Sequence, residues 1–226
     1  MNTHNLQSIV TVGLSIGAIV LLTGQCRKPW GWAGRVVIWL MNLQHTSVTT
    51  WGLSQVSISP QFTILDVGCG GGKTIRRLAE VATSGKVFGI DYSATSVAAA
   101  KRLNAGNVAS GRVSIQQAPV SRLPFSNNTF DLVTAVETHY YWPDPARDMR
   151  EILRVLKPGG KLVLIAEAFR SETHAGLLAI PMKFLGARYL TAQEHHEMFV
   201  TAGFTDVVIE KRDRKGWICV VGSSST

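Results

Sequence analysis

Ile64-Leu65-Asp66-Val67-Gly68-Cys69-Gly70-Gly71-Gly72, a helical run from Lys73 to Val81, and then Val87-Phe88-Gly89-Ile90-Asp91 form one continuous pattern in this 226-residue chain. An apolar strand ends beside an acid, glycines turn the backbone, a helix begins, and a second strand ends in another acid. Glycines at alternate positions permit a tight turn and bring bare backbone against a ligand, where a Cβ would collide. Asp91 falls at the tip of the second strand, where a carboxylate can accept hydrogen bonds from both hydroxyls of a ribose. The layout is that of a pocket for a nucleotide-type cofactor.

Spacing separates the cofactors that use such a layout. A dinucleotide site calls for G-x-G-x-x-G, with the pyrophosphate at a helix N-terminus. This chain instead reads Asp66-x-Gly68-x-Gly70-x-Gly72, with an acid before the first glycine. A carboxylate there repels a pyrophosphate and favours a cationic ligand. The motif resembles the first motif of the class I S-adenosylmethionine-dependent methyltransferases. Two further stretches are similar to that family. Leu123-Pro124-Phe125-Ser126-Asn127-Asn128-Thr129-Phe130-Asp131-Leu132-Val133 resembles its lead-in to strand four, and Arg154-Val155-Leu156-Lys157-Pro158-Gly159-Gly160-Lys161-Leu162 its strand-five turn.

Alternation of strands and helices from Phe62 onward predicts an α/β domain over residues 60–226, with a parallel sheet covered on both faces. Strands are expected at Phe62–Val67, Lys86–Asp91, Val113–Gln117, Phe130–Glu137 and Lys161–Ala168. Ser93 and Thr191 stand where helix caps are needed. Before strand five, Met149, Ile152, Leu153 and Leu156 share one helix face, which leaves Arg150, Glu151 and Arg154 for water. Lys157-Pro158-Gly159-Gly160 stops that helix. Val207–Lys211 and Trp217–Val221 suit a closing hairpin. The resemblance implies a Rossmann-like, doubly wound, seven-stranded and mostly parallel sheet with a C-terminal antiparallel hairpin.

A hydrophobic share of 46% against 17% charged residues suits one sizeable core plus an N-terminal helical extension. Net charge +8 favours acidic partners such as anionic lipid or nucleic acid, although no long basic run and no nucleic-acid motif occurs. Cys26, Cys69 and Cys219, odd in number and far apart, form neither a disulfide framework nor a zinc site. Residues 9–22 are almost wholly apolar and are followed by Arg27 and Lys28. Residues 1–26 are therefore expected to form a membrane anchor helix with the catalytic domain cytoplasmic, the alternatives being a soluble cytoplasmic chain or a helix docked on a partner. Residues 27–59 are expected to form a helical lid segment. Its Met41-Asn42-x-x-His45 and Thr50-Trp51-Gly52-Leu53 resemble a lead-in segment of one family subgroup, where it overlies the cofactor mouth. His45 and Trp51 are thus candidate lid residues, while Trp30, Trp32 and Trp39 suit either a membrane interface or the core.

The resemblance assigns Asp66, Gly68, Gly70 and Gly72 to the methionine end of S-adenosylmethionine and Asp91 to its ribose. Tyr92 stacks on the adenine or lies at the core edge. Many family members carry an acid after strand three that accepts from the adenine amino group. Ala118-Pro119-Val120-Ser121 has none, so adenine would rest on the Ala118 carbonyl, the Val120 amide and apolar packing. Beyond strand four lies Glu137-Thr138-His139-Tyr140-Tyr141-Trp142-Pro143, where ligands of doubly wound sheets sit. Glu137 or His139 is the candidate base, and Tyr140 or Tyr141 the candidate wall of an acceptor cage. Tyr141 and Trp142 suit plain loop packing as well. His174, His195 and His196 are expected on the surface, and no metal site is expected. A small or lipid-like acceptor, covered by the apolar stretch Phe169–Tyr189, is the implied substrate. A non-catalytic, membrane-tethered binder of the cofactor and a nicotinamide oxidoreductase are the competing readings; oligomeric state is not encoded in any motif.

Overall fold

The computed structural model describes residues 24–170, 182–183 and 185–225. Helices α1 (Gly31–Gln44) and α2 (Thr46–Leu53) lie ahead of the sheet. Then β1 (Thr63–Val67), α3 (Lys73–Val81), β2 (Lys86–Asp91), α4 (Ala94–Leu103), α5 (Ala105–Ala109) and β3 (Val113–Gln117) follow in turn. Among the described residues β4 (Phe130–Val136), α6 (Pro145–Val155), β5 (Leu156–Ala166), α7 (Ala192–Ala202), β6 (Thr205–Arg212) and β7 (Trp217–Ser223) come after these. The strands form one seven-stranded sheet in the order β3-β2-β1-β4-β5-β7-β6. β1 pairs in parallel with β2 on one side and β4 on the other, so strand order reverses between β1 and β4 and a crevice opens beyond their carboxyl ends. β7 runs antiparallel between β5 and β6.

Each sheet face buries its own core. Ile64, Ile75, Leu78, Val97 and Ala100 join α3 and α4 to one face, and Val48, Trp51 and Leu53 of α2 join the same core. On the other face Phe130, Met149, Ile152, Val155, Phe199 and Phe204 pack α6 and α7. Phe88, Phe125 and Phe130 meet edge to face with centroids 4.9–5.6 Å apart, a geometry worth about 0.5–1.5 kcal/mol per pair beyond area burial. Local sequence sets the helix ends. Ser93 Oγ accepts from Ser96 N–H, Asp144 accepts from Arg147 N–H ahead of Pro145, and Thr191 with Glu194 closes a reciprocal capping box.

Three details differ from expectation. Lys157–Gly160 ends α6 but lies within β5 as an irregularity: Leu156 pairs with Phe130 and Lys161 with Leu132, so the residues between are extruded. Glu151 and Arg154, expected in water, clasp the lead-in to β4. The Glu151 carboxylate accepts from Leu123 N–H at 2.9 Å, and Arg154 donates to the carbonyls of Phe125 and Leu123 at 2.8 and 3.1 Å. Trp51 is no lid; its ring packs 5.8 Å from Trp217 under Arg212, where burying an indole is worth more than holding it over a solvent-filled mouth.

The expected anchor at residues 1–26 lies, apart from its last three positions, outside the described residues. Among the described residues no helix is long and apolar enough to cross a membrane. Trp32, Val36, Trp39 and Leu40 leave one side of α1 exposed.

Candidate functional site

The carboxyl ends of β1, β2 and β4, roofed by α1 and α2, enclose a cavity of about 340 Å³, within the range of small-molecule sites. Asp66, Gly68, Gly70, Asp91, Tyr92, Ala118, Val120 and Glu137 all line it. Gly68 has φ +70°, and a Cβ there would fall 2.2 Å from Thr138 Oγ1, so the turn after β1 requires glycine. Gly70 faces open space, with its N–H donating to Asp91 Oδ2 at 2.9 Å. Gly72 does not line the cavity. It caps α3 at φ +81°, where a Cβ would meet Ala100 Cα at 2.8 Å, so its role is close packing of α3 on α4.

The electrostatics of the floor are distinctive. Asp66 is buried, accepts from Thr134 Oγ1 at 2.7 Å, and is pushed up to about 7 by burial, with Asp91 adding to the rise. Asp91 is also held above the ordinary carboxylate range by burial, despite hydrogen bonds from Ser93 N–H and Gly70 N–H. Among the described residues no lysine, arginine or histidine pairs with either acid. Two buried carboxyls without a protein counter-ion suit a ligand that brings positive charge and a diol. The Val120 N–H and Ala118 carbonyl make no hydrogen bond among the described residues and remain for a base edge. S-adenosylmethionine, with an ammonium, a sulfonium, a ribose and an adenine, fits these groups. Cys69 lies in the loop with its thiol pushed well up by burial and by both acids, which makes it inert.

A strap from the N-terminus closes one side. Tyr92 O–H donates to the Arg27 carbonyl, and Ser93 O–H donates to the Pro29 carbonyl at 2.7 Å, bringing Cys26, Arg27 and Pro29 to the cavity wall. Burial raises the Tyr92 phenol to about 12, so it stays a neutral donor. The strap residues and Gly71, whose missing side chain admits Asn42 and Ile38 of α1, were not read from the sequence.

Of the residues after β4, the structure brings some to the cavity and turns others away. Glu137 adopts φ +56°, a strained conformation for a non-glycine residue, and lines the cavity. Its carboxyl accepts from Glu167 N–H and is raised to about 7, first by burial. Tyr141 and Trp142 line the cavity as well. His139 and Tyr140, candidates for base and cage wall, do not. A 3-10 turn over His139–Tyr141 rotates both rings into the core. Tyr140 backs Glu137, its hydroxyl accepting from Ala168 N–H at 3.0 Å. His139 Nε2 meets His195 Nε2 at 3.1 Å. His195, expected on the surface, is fully buried, and its Nδ1 donates to the Thr191 carbonyl at 2.7 Å. His195 Nε2 is then the acceptor and His139 Nε2 the donor, which leaves His139 Nδ1 without a partner. Burial holds both imidazoles below their ordinary range, so the pair is neutral and lies away from the cavity.

His45, at the junction of α1 and α2, does line the cavity. Its Nδ1 lies 3.1 Å from Glu167 Oε2 beyond β5. Glu167 was missed; the only local sign was an acid following the apolar run of β5. The expected acceptor cover at Phe169–Tyr189 lies largely outside the described residues, and its Phe169 and Met182 belong to the α6/α7 core.

Residues 65–164 match the family described as a methyltransferase domain. The chain is 38% identical over 105 residues to cycloartenol-C-24-methyltransferase 1 of Oryza sativa subsp. japonica, covering 46% of this chain and 30% of that protein. It is 36% identical over 114 residues to the demethylmenaquinone methyltransferase of Lactiplantibacillus plantarum, covering 50% and 48%. Among solved structures, a SAM dependent methyltransferase from Aquifex aeolicus shares the fold with a TM-score of 0.65 at 22% identity, over 78% of this chain and 89% of that one. The chain matches about half or less of the length of these two curated relatives.

Proposed function

We propose that this chain, which carries a class I S-adenosylmethionine-dependent methyltransferase domain, transfers a methyl group to a small hydrophobic acceptor of quinol or sterol type. The observation that carries the reading is the pair of buried, counter-ion-free acids Asp66 and Asp91 facing one cavity across a glycine turn. Asp66 with the Gly68–Gly70 backbone takes the charged methionine end, Asp91 the ribose hydroxyls, and Ala118 and Val120 the adenine edge. Bound there, the cofactor supplies an activated methyl carbon. The protein's task is to position the acceptor in line and to exclude water. Ile38, Met41, Tyr141 and Trp142 give the remaining wall an apolar and aromatic character suited to a flat, greasy acceptor. The two relatives named for a sterol and a quinone substrate support that acceptor class.

A lipid-borne acceptor also calls for approach to a bilayer. The exposed Trp32, Val36, Trp39 and Leu40 on α1, beside Arg27, Lys28 and Arg35, form an aromatic and basic face of the kind that sits at anionic lipid surfaces. One experiment tests both statements: the chain is incubated with methyl-labelled S-adenosylmethionine and anionic vesicles carrying a naphthoquinol. Label in the extracted quinol, with the chain floating among the vesicles, is the expected result. Cofactor binding without label in any quinol or sterol would favour a silent binder, and a chain left in the aqueous layer would remove the lipid contact.

A further inference from the structure

Three elements converge at the cavity wall, where His45 and Glu137 line the cavity and Glu167 stands behind them. His45 comes from the α1/α2 junction, Glu137 from the end of β4 and Glu167 from beyond β5, and one donor atom of each lies within 4.8 Å of the others. Glu167 Oε2 receives the Nδ1 proton of His45, which fixes the tautomer. Nε2 then carries a lone pair, and among the described residues it makes no hydrogen bond. The Glu167 N–H in turn donates to the Glu137 carboxyl, so the two acids are held side by side.

We propose that His45 is the general base of the acceptor subsite, that Glu167 is its positioning residue, and that the acceptor therefore bears a proton it must lose, as a phenolic or quinol-type nucleophile does. This rests on the methyltransferase reading and deepens it. The acceptor's proton passes to His45 Nε2. The bond between the acceptor atom and the methyl carbon forms while the carbon–sulfur bond breaks with its electron pair left on sulfur. The proton held on the imidazole then leaves to water at the mouth. An amine or thiolate acceptor would not need this machinery.

Charge around the imidazole suits the task. Burial alone would lower His45, but the hydrogen bond it donates to Glu167 and the charges of Glu137 and Glu167 outweigh it and hold the group above its ordinary value. Facing it from the other elements are Tyr140 behind Glu137, Lys73 on the Asn42 carbonyl and Thr46 Oγ1, and Arg77 on the Thr46 carbonyl. The carboxyls dominate because they lie nearest. An imidazole is an effective base around neutral pH, and the imidazolium formed during transfer is stabilised by the adjacent acids.

The test begins without cofactor. Imidazole titration by NMR of the full chain should give His45 a value above 6.5, and Glu167→Gln should lower it by half a unit or more. With S-adenosylmethionine and a naphthoquinol, turnover should rise with pH along a limb set by that value, and Glu167→Gln should move the limb to lower pH. His45→Gln should cut kcat by roughly 10²–10⁴-fold while cofactor affinity and unfolding midpoint stay near wild type. A His45→Gln variant that binds cofactor and still transfers methyl at the wild-type rate would overturn the base. So would a His45 titration that ignores Glu167→Gln, or a tightly held divalent ion whose chelation abolishes turnover, since the trio would then be a metal site. A wild-type chain that binds no S-adenosylmethionine would instead overturn the methyltransferase reading itself.

Discussion

Asp66, proposed above to face the methionine end of the cofactor, works against its own fold. Its carboxyl is raised to about 7, so near neutral pH the folded chain holds a proton that the unfolded chain, titrating near 3.8, has released. Linkage then makes the folded state most favoured below the unfolded value, and this contribution disappears as pH rises through about 7. Above that, an ionised Asp66 without a counter-ion opposes folding. Asp66→Asn should therefore raise the unfolding midpoint at pH 8 by on the order of 5 °C, with the gain shrinking as the pH is lowered toward 4. Thermal unfolding followed by circular dichroism at pH 8, 6 and 4 checks this, and a variant less stable than wild type at pH 8 would contradict it. Why such a residue is legible in sequence is also clear at this scale. Asp66, Gly68, Gly70 and Asp91 are fixed by strand ends and a short turn, so their spacing alone carries them to one cavity. His139 and His195 escaped because a 3-10 turn and a contact across 56 residues decide their environment, and neither leaves a periodic trace.

Elements place the proposed base. α2 lies against β5 so closely that a Cβ on Gly52 would fall 2.5 Å from Ile165 Cδ1 and Cγ1. His45 stands at the N-terminus of α2, while Glu137 and Glu167 follow β4 and β5, so the distance from His45 to Glu167 depends on that helix–strand contact. Gly52→Val should cost about 1–3 kcal/mol in urea unfolding through overpacking and should weaken the His45–Glu167 hydrogen bond, returning the His45 titration toward lower pH. An unchanged stability and titration would mean that α2 is set by other contacts. Reading this from sequence was possible only in part. The helical character of residues 31–53 is visible in the spacing of Val36, Val37, Leu40 and Met41, but which face turns inward is fixed by Gly71 and Gly52, glycines that look like mere loop and helix interruptions until a neighbouring side chain occupies the space.

At the scale of the whole molecule, the order β3-β2-β1-β4-β5-β7-β6 brings the carboxyl ends of β1, β2 and β4 and the N-terminal helices to one crevice. Alternating strand and helix patterns made the sheet legible from Phe62 onward, since each element is short, periodic and bounded by glycine, proline or a cap. The helical lid was expected only through the family resemblance of its Met41–Leu53 stretch, and the strap was not legible at all, because Arg27 and Pro29 reach Tyr92 and Ser93 across more than 60 residues. By the proposed function this crevice, whose two buried acids have no counter-ion among the described residues, is a seat for S-adenosylmethionine. Calorimetric titration of the full chain with S-adenosylmethionine, S-adenosylhomocysteine and NAD, alongside Asp91→Ala, tests it most directly. Binding of both adenosyl ligands, absent for NAD and lost in a folded Asp91→Ala chain, is the predicted result; NAD binding, or adenosyl binding indifferent to Asp91, would contradict it.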